Sequence, residues 1–157
     1  MHLDSADIRI LNELQNDAKI TNKELGTILH LSPTAVFERI KKLEKNGLIR
    51  NYAAILDRKI LGKELLVICQ IRLVRHSQQN IEEFEKQIKA IDDIKECFHI
   101  SGDYDYVLKA AFKNMDDYHD FMVNKLTTIS SIGNTHTLFI INEVKNDVGY
   151  KLKKESR

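Results

Sequence analysis

Between residues 33 and 50 the chain sets Arg39, Lys41, Lys42, Lys45 and Arg50 against only Glu38 and Glu44, a local net charge of +3. On a helix, at about 100° per residue, Thr34, Glu38, Lys41 and Lys45 point away from a stripe of Val36, Ile40 and Leu43, and Arg39 and Lys42 flank that outer face. Cationic groups gathered on one helix face are what phosphate oxygens require, and release of condensed counterions supplies much of the affinity of such a face. An ordinary solvated helix has a similar composition, so charge alone does not decide the matter.

Other reactive chemistry is sparse. His2, His30, His76, His99, His119 and His136 show no metal-ligand spacing with one another or with Cys69 and Cys97, and read as isolated surface or sheet histidines. The sequence carries no phosphate-binding glycine loop and no nucleophile elbow. Asp116 and Asp117 fall at an expected helix start, where carboxylates favour the helix dipole. With no convergent nucleophile, acid–base pair or metal set, the expectation is a protein that is not an enzyme and uses no cofactor or metal.

The elements that must position the basic face follow from local rules. Thr21 and Glu24 have the spacing of a capping box, so a helix is expected from Asn22, with Leu25, Ile28 and Leu29 as its apolar stripe. Ser32 followed by Pro33 starts the next helix: the hydroxyl caps free N–H groups, and proline at the first position gives up no hydrogen bond. Gly47 stands where a left-handed C-terminal cap is needed. The turn between the helices is only a few residues long and forces a steep crossing, the outline of a helix-turn-helix that fits its second helix into a DNA major groove. Asp4 can cap an earlier helix carrying Ile8, Leu11 and Leu14, with Ala18 and Ile20 continuing the apolar set. Residues 48–57, containing Ile49, Tyr52, Ile55 and Leu56, read as one or two short strands, a minimal wing. The expected division is a winged helix-turn-helix over 1–56, a linker over 57–63 and a second domain over 64–157.

Composition agrees with such a plan. The chain has 157 residues and a net charge of +1, so it is no general polycation. Residues 1–60 carry ten basic and eight acidic side chains, the remainder fourteen and fifteen. No apolar run approaches a membrane span and the N-terminus lacks a signal-peptide core. Cys69 and Cys97 fall in expected strands, as small buried hydrophobes rather than a disulfide, which suits a reducing cytoplasm.

Beyond residue 63 the hydrophobic period changes. Strands are expected over 64–75, 94–101, 104–112 and 134–144, and helices over 79–91 and 115–129. The order βαββαβ predicts a ferredoxin-like sandwich, giving an α+β class for the whole chain. Both helices of such a domain cover one sheet face, yet Leu66, Ile68 and Val74 in the first strand, and Leu138, Ile140 and Val144 in the fourth, point to the other. A second copy packed sheet to sheet as a two-fold dimer is one way to cover it; packing of the winged domain on that face is the other.

These segments together resemble one family. The start (Leu3, Asp4, Asp7, Ile8, Leu11), then SPTAVFERIKKLEKNGLI, then GDYDYVLKA and the closing NTHTLFIINEVK are similar to the Lrp/AsnC family of feast/famine transcriptional regulators, over nearly the whole chain. The resemblance implies a DNA-binding unit joined to an effector-binding αβ-sandwich, dimers that assemble into octamers, and a small effector, usually an amino acid, bound between dimers. The family's recognition helix maps to residues 33–46, with Thr34, Phe37, Glu38, Arg39, Lys41, Lys42 and Lys45 as the candidate DNA contacts. Phe37 is less typical of the pattern: it is either a core wedge or a contact to a thymine methyl group.

The family's effector element falls on Gly102, Asp103, Tyr104 and Asp105, and its facing wall on Ile132, Gly133, Asn134, Thr135 and Thr137; Ser131 and Ile132 replace a usual proline. Gly-Asp between strands is also plain hairpin chemistry. In the functional reading, backbone N–H groups of the turn receive an effector carboxylate and Asp103 or Asp105 its ammonium, with the Thr135 and Thr137 hydroxyls completing the site. The expected function is therefore a sequence-specific transcriptional regulator that binds double-stranded DNA under control of a small effector. The alternative is an effector-independent architectural protein that wraps or bridges DNA.

Overall fold

The computed structural model describes residues 2–153. By compactness the chain forms two units: Met1–Ala54 with Lys145–Arg157, and Ile55–Val144. The described residues after Val144, which the expected division places in the second domain, group by compactness with the first unit.

The first unit has three helices, α1 (Ser5–Asn16), α2 (Asn22–Leu29) and α3 (Pro33–Lys45). Each begins at the cap its sequence predicts. Asp4 accepts from the N–H groups of Ala6 and Asp7, Thr21 and Glu24 cap α2 reciprocally, and the Ser32 hydroxyl accepts from Ala35. Ile10, Leu11, Leu25, Leu29, Val36 and Leu43 form one buried cluster, on which Leu14, Ile20, Ile40 and Leu152 pack. Ile28, expected in the α2 stripe, is instead partly exposed.

The expected wing is not formed. No residue of 48–57 belongs to a strand among the described residues, and Ile55 and Leu56 stand exposed. A lone extended segment leaves its ladder hydrogen bonds unmade, and no described residue of this unit pairs with it as a strand.

The second unit is a four-stranded antiparallel sheet with β1 (Leu65–Leu73), β2 (Ile94–His99), β3 (Tyr106–Phe112) and β4 (Ile132–Phe139) in the order β2-β3-β1-β4. Helices α4 (Gln78–Lys89) and α5 (Met115–Phe121) connect them, α5 widening into a π-helical turn over Met122–Leu126. This is the ferredoxin-like arrangement. Val67, Cys69, Ile71 and Leu73 of β1 point into a core with Phe84, Tyr106, Leu108, Phe112, Phe121 and Leu126. Strand β4 starts earlier than its sequence suggests and ends at Phe139, opposite Val67, with one further bond from Ile140 N–H to the Leu66 carbonyl; Ile141 and Val144 lie fully or nearly fully exposed.

The outer sheet face is mixed rather than apolar throughout. Phe98 and Leu138 are exposed there, but a Gln70–His136 hydrogen bond and a Lys109–Glu96 ion pair lie among them. Of the cysteines, Cys69 is buried, and burial pushes its thiol pKa up; Cys97, expected to be buried, is exposed on edge strand β2. No helix among the described residues is long and apolar enough to cross a membrane.

Candidate functional site

Two regions carry the predicted residues, one in each unit. In the first, the steep α2–α3 crossing depends on Gly26, where a Cβ would lie 2.6 Å from the Leu31 carbonyl oxygen. His30 closes α2 in the left-handed conformation, at φ 57°. The far end of α3 is stopped by a Schellman motif: Gly47 takes φ 71°, its N–H bonds to the Glu44 carbonyl and that of Leu48 to the Leu43 carbonyl. Between these limits Val36 and Leu43 are buried, while Thr34, Phe37, Glu38, Lys41, Lys42 and Lys45 are exposed.

Phe37 is 47 % exposed, so it is no core wedge; the Lys41 ammonium sits 5.5 Å from its ring centroid. Arg39 departs from the expected outer face. Its Nη1 donates to Asp4 at 2.7 Å and to Asp7 at 2.6 Å, tying α3 to the N-terminus of α1. The Asp7 N–H and then the Arg39 guanidinium hold the Asp4 carboxyl below the ordinary carboxylate range, and the two carboxylates raise the pKa of Arg39 in turn. Tyr52 donates to Glu44 at 2.9 Å; burial, then that contact, push its pKa up to about 12.

In the second unit the Gly102 turn and the start of β4 flank the C-terminal end of β1. Ile71 is opposite Tyr106 on one side and Thr135 on the other, and Arg72 is opposite Asn134. Gly102 takes φ 126°, which favours glycine. The N–H groups of Gly102, Asp103 and Tyr104 have no acceptor among the described residues.

The turn is held from β1 and the residues after it. Asp105 accepts from Leu73 N–H at 2.7 Å and pairs with His76 Nε2 at 2.8 Å, while its own N–H donates to the Ile71 carbonyl. Burial opposes ionisation of Asp105, but the Leu73 N–H and His76 together outweigh it and lower its pKa. Arg72 Nε donates to the Asp103 carbonyl at 2.8 Å, and its guanidinium lies over the Tyr104 ring, which stacks on His136. The Asp103 carboxylate has no partner among the described residues, so of the two candidate acids it is the one left free.

On the facing side, Gly133 runs so close to β1 that a Cβ would meet Val74 at 3.3 Å. Thr135 and Ile132 are half-buried and Asn134 is exposed. Thr137 points to the helix side, accepting from Tyr118 and donating to Cys69. It does not join the turn. The hydroxyl of Ser131, at the position of the replaced proline, is buried without a partner among the described residues. The sequence does not single out Arg72 and His76, which hold the turn, or His136, which stacks on Tyr104 and is itself bonded to Gln70; only the strand-end position of Arg72 and the histidines themselves signal them. Among the described residues no group of acidic, histidine and cysteine side chains could hold a metal ion.

Comparison with known proteins matches both regions. Residues 3–50 fit a winged helix-turn-helix DNA-binding model, and residues 66–150 fit the Lrp/AsnC ligand binding domain. A DNA-reading helix and a ligand-binding sandwich on one chain define a ligand-responsive transcriptional regulator.

The leucine-responsive regulatory protein of Haemophilus influenzae is 43 % identical over 143 residues, covering 91 % of this chain and 86 % of that one. Its Escherichia coli counterpart is 38 % identical, covering 91 % and 87 %. A transcriptional regulator of Neisseria meningitidis, solved in complex with L-Met, superposes with a TM-score of 0.90 at 29 % identity, over 94 % of this chain and 95 % of that one. An AsnC family regulator from Agrobacterium tumefaciens gives 0.90 at 27 %, over 94 % and 96 %. The chain belongs to the Lrp/AsnC family of transcriptional regulators.

Proposed function

We propose that this regulator is a cytoplasmic homodimer, assembling further to an octamer, in which an amino acid bound at the Gly102 turn alters how pairs of α3 helices engage DNA. The observation that carries the effector half is the combination of three free backbone N–H groups at Gly102, Asp103 and Tyr104 with a free Asp103 carboxylate. These match the two charges of a free amino acid, carboxylate to N–H groups and ammonium to Asp103. Asp105 acts one step back, as the residue that positions the turn, and Asn134 faces the ligand from β4, while Thr135, opposite the inward Ile71, lines the helix side as Thr137 does. Ile132 and Gly133 shape the wall there.

On the DNA side, Lys41, Lys42 and Lys45 contact phosphate and Thr34, Phe37 and Glu38 face the base edges. Arg39 sets the α1–α3 geometry instead of touching DNA. One such helix presents a modest charge, so affinity comes from pairing two units across a symmetric dimer, with the exposed Phe98 and Leu138 of the outer sheet face as part of its interface. The relative solved with L-Met supports a ligand of this class.

Footprinting on genomic fragments, with and without the common amino acids, tests the proposal. Defined protected sites whose occupancy changes with one amino acid are expected. Long, sequence-tolerant protection indifferent to every amino acid would favour an architectural DNA-wrapping protein instead.

A further inference from the structure

The first unit contains a segment that no helix-turn-helix needs. Residues 149–152 lie extended along α1 and are gripped by two side-chain amides. Tyr150 N–H donates to Gln15 Oε1 at 2.6 Å and Gln15 Nε2 donates to the Tyr150 carbonyl at 3.0 Å. Leu152 N–H donates to Asn12 Oδ1 at 3.0 Å and Asn12 Nδ2 donates to the Leu152 carbonyl at 3.0 Å. Each amide therefore satisfies both backbone groups of every second residue, as a neighbouring strand would.

The geometry is built for this. Asn12 and Gln15 are three apart, on one face of α1, about 4.5 Å along its axis. Alternate residues of an extended chain repeat at about 6.7 Å. The unequal lengths of the two side chains take up part of that difference. Gly149 passes so close that a Cβ would come 2.8 Å from Gln15 Oε1. Leu152 packs on the cluster of Ile10, Leu25 and Val36, whereas the Tyr150 side chain is exposed. What the surface reads is a backbone with a small residue, two arbitrary ones and an apolar one.

We propose that the outer face of α1 is a docking site for an extended peptide of this pattern, and that its occupant is the chain's own segment 149–152. The chain leaves the DNA-binding unit at Ala54 and returns to it at Lys145, so a docked segment makes a second tie between that unit and the ligand-binding unit. A unit held by two ties explores less space than one held by a single linker, which favours simultaneous engagement of two half-sites. This last consequence rests on the DNA-binding reading; the docking does not.

The test uses the full chain and its Asn12→Ala/Gln15→Ala double variant, in which alanine keeps α1 helical. Amide hydrogen exchange at residue resolution should show Tyr150 and Leu152 at least tenfold slower than Lys151, whose N–H is ungripped. In the double variant both should rise to the Lys151 rate, with protection of α1 unchanged. Leu152→Asp, made on the tail side, should have the same effect. Equal rates at the three positions in the unsubstituted chain, or protection that survives the double substitution, would overturn the docking.

The tie is tested with a duplex selected from random sequence by the unsubstituted chain, and with the same duplex cut to one half-site. The double variant should bind the paired site about tenfold more weakly and the single site equally well. An equal loss on both, or on neither, would overturn the tie. Failure of the unsubstituted chain to select any duplex would count against the DNA-binding reading, and the exchange measurement would still decide the docking.

Discussion

The α3 region and the Gly102 turn are both short, glycine-punctuated stretches, yet they are fixed by different kinds of contact. Almost everything that sets α3 lies within a few residues: Ser32 and Pro33 start it, Gly47 and Leu48 stop it, and Gly26 admits the crossing. The Gly102 turn is fixed from a distance, by Arg72, Leu73 and His76, some thirty residues back in the chain. The first region is a rigid reader set by local sequence. The second is a loop whose shape depends on tertiary contacts, the kind of element a ligand can bias.

The largest expected effect strikes the local region. Gly26→Val forces a side chain against the Leu31 carbonyl and should destabilise the DNA-binding unit by about 3 kcal/mol. Urea denaturation followed separately in the two units should show the loss in that unit alone; a shared loss would blur the contrast.

Asp105→Ala tests the distant region. It strands the buried Leu73 N–H and removes the His76 partner, at about 2 kcal/mol, and should weaken effector binding although Asp105 does not touch the effector. The sign of its pH dependence follows from its lowered pKa. The stabilisation by ionised Asp105 is fully present above the unfolded carboxyl value of about 4 and is lost as pH falls through the lower folded value. The stability gap between Asp105→Asn and the unsubstituted chain, measured by denaturant midpoints, should therefore be constant above about pH 4 and shrink below it. A gap that widens in acid would reverse the assignment.

Smaller effects sharpen the reader itself. Arg39→Met should cost about 1 kcal/mol of stability, modest because the pair with Asp4 and Asp7 is partly solvated. It should also leave the salt slope of DNA binding unchanged, in contrast to a residue on phosphate. Lys41→Ala should leave stability alone, weaken binding to specific and random duplexes alike by a few-fold, and reduce the salt slope by about one. Loss confined to one base position would place Lys41 on a base edge.

The same contrast explains what the sequence made legible. The N-caps of the three helices, the Gly47 stop, the order of the four strands and the inward set of β1 follow from spacing alone, because capping and side-chain alternation are local; the left-handed His30 cap of α2 does not. Helical phase puts Arg39 beside the basic face, while Asp4 and Asp7 draw it toward α1 through a contact across more than thirty residues that spacing does not signal. The 48–57 wing failed for the converse reason: strand-forming residues were present and a pairing partner in the unit was not. In the effector region the residues with ligand-like chemistry were visible, but not which would be free. Asp103 and Asp105 are interchangeable in sequence, and only the bonds from Leu73 and His76 separate them. The return of residues 149–152 to α1 left no periodic signal, since backbone-reading amides ask little of the segment they hold.

The Asp103 carboxylate and the free N–H groups beside it are the proposed place where effector and DNA binding are coupled. The direct measurement is the affinity of the full chain, and of Asp103→Asn, for a selected DNA duplex, titrated with each common amino acid and with its carboxamide. One amino acid should change the affinity of the unsubstituted chain by at least about fivefold, within the usual range of allosteric coupling, while its carboxamide, and the same amino acid acting on Asp103→Asn, should do nothing. An equal response from Asp103→Asn, or none to any amino acid, would contradict it.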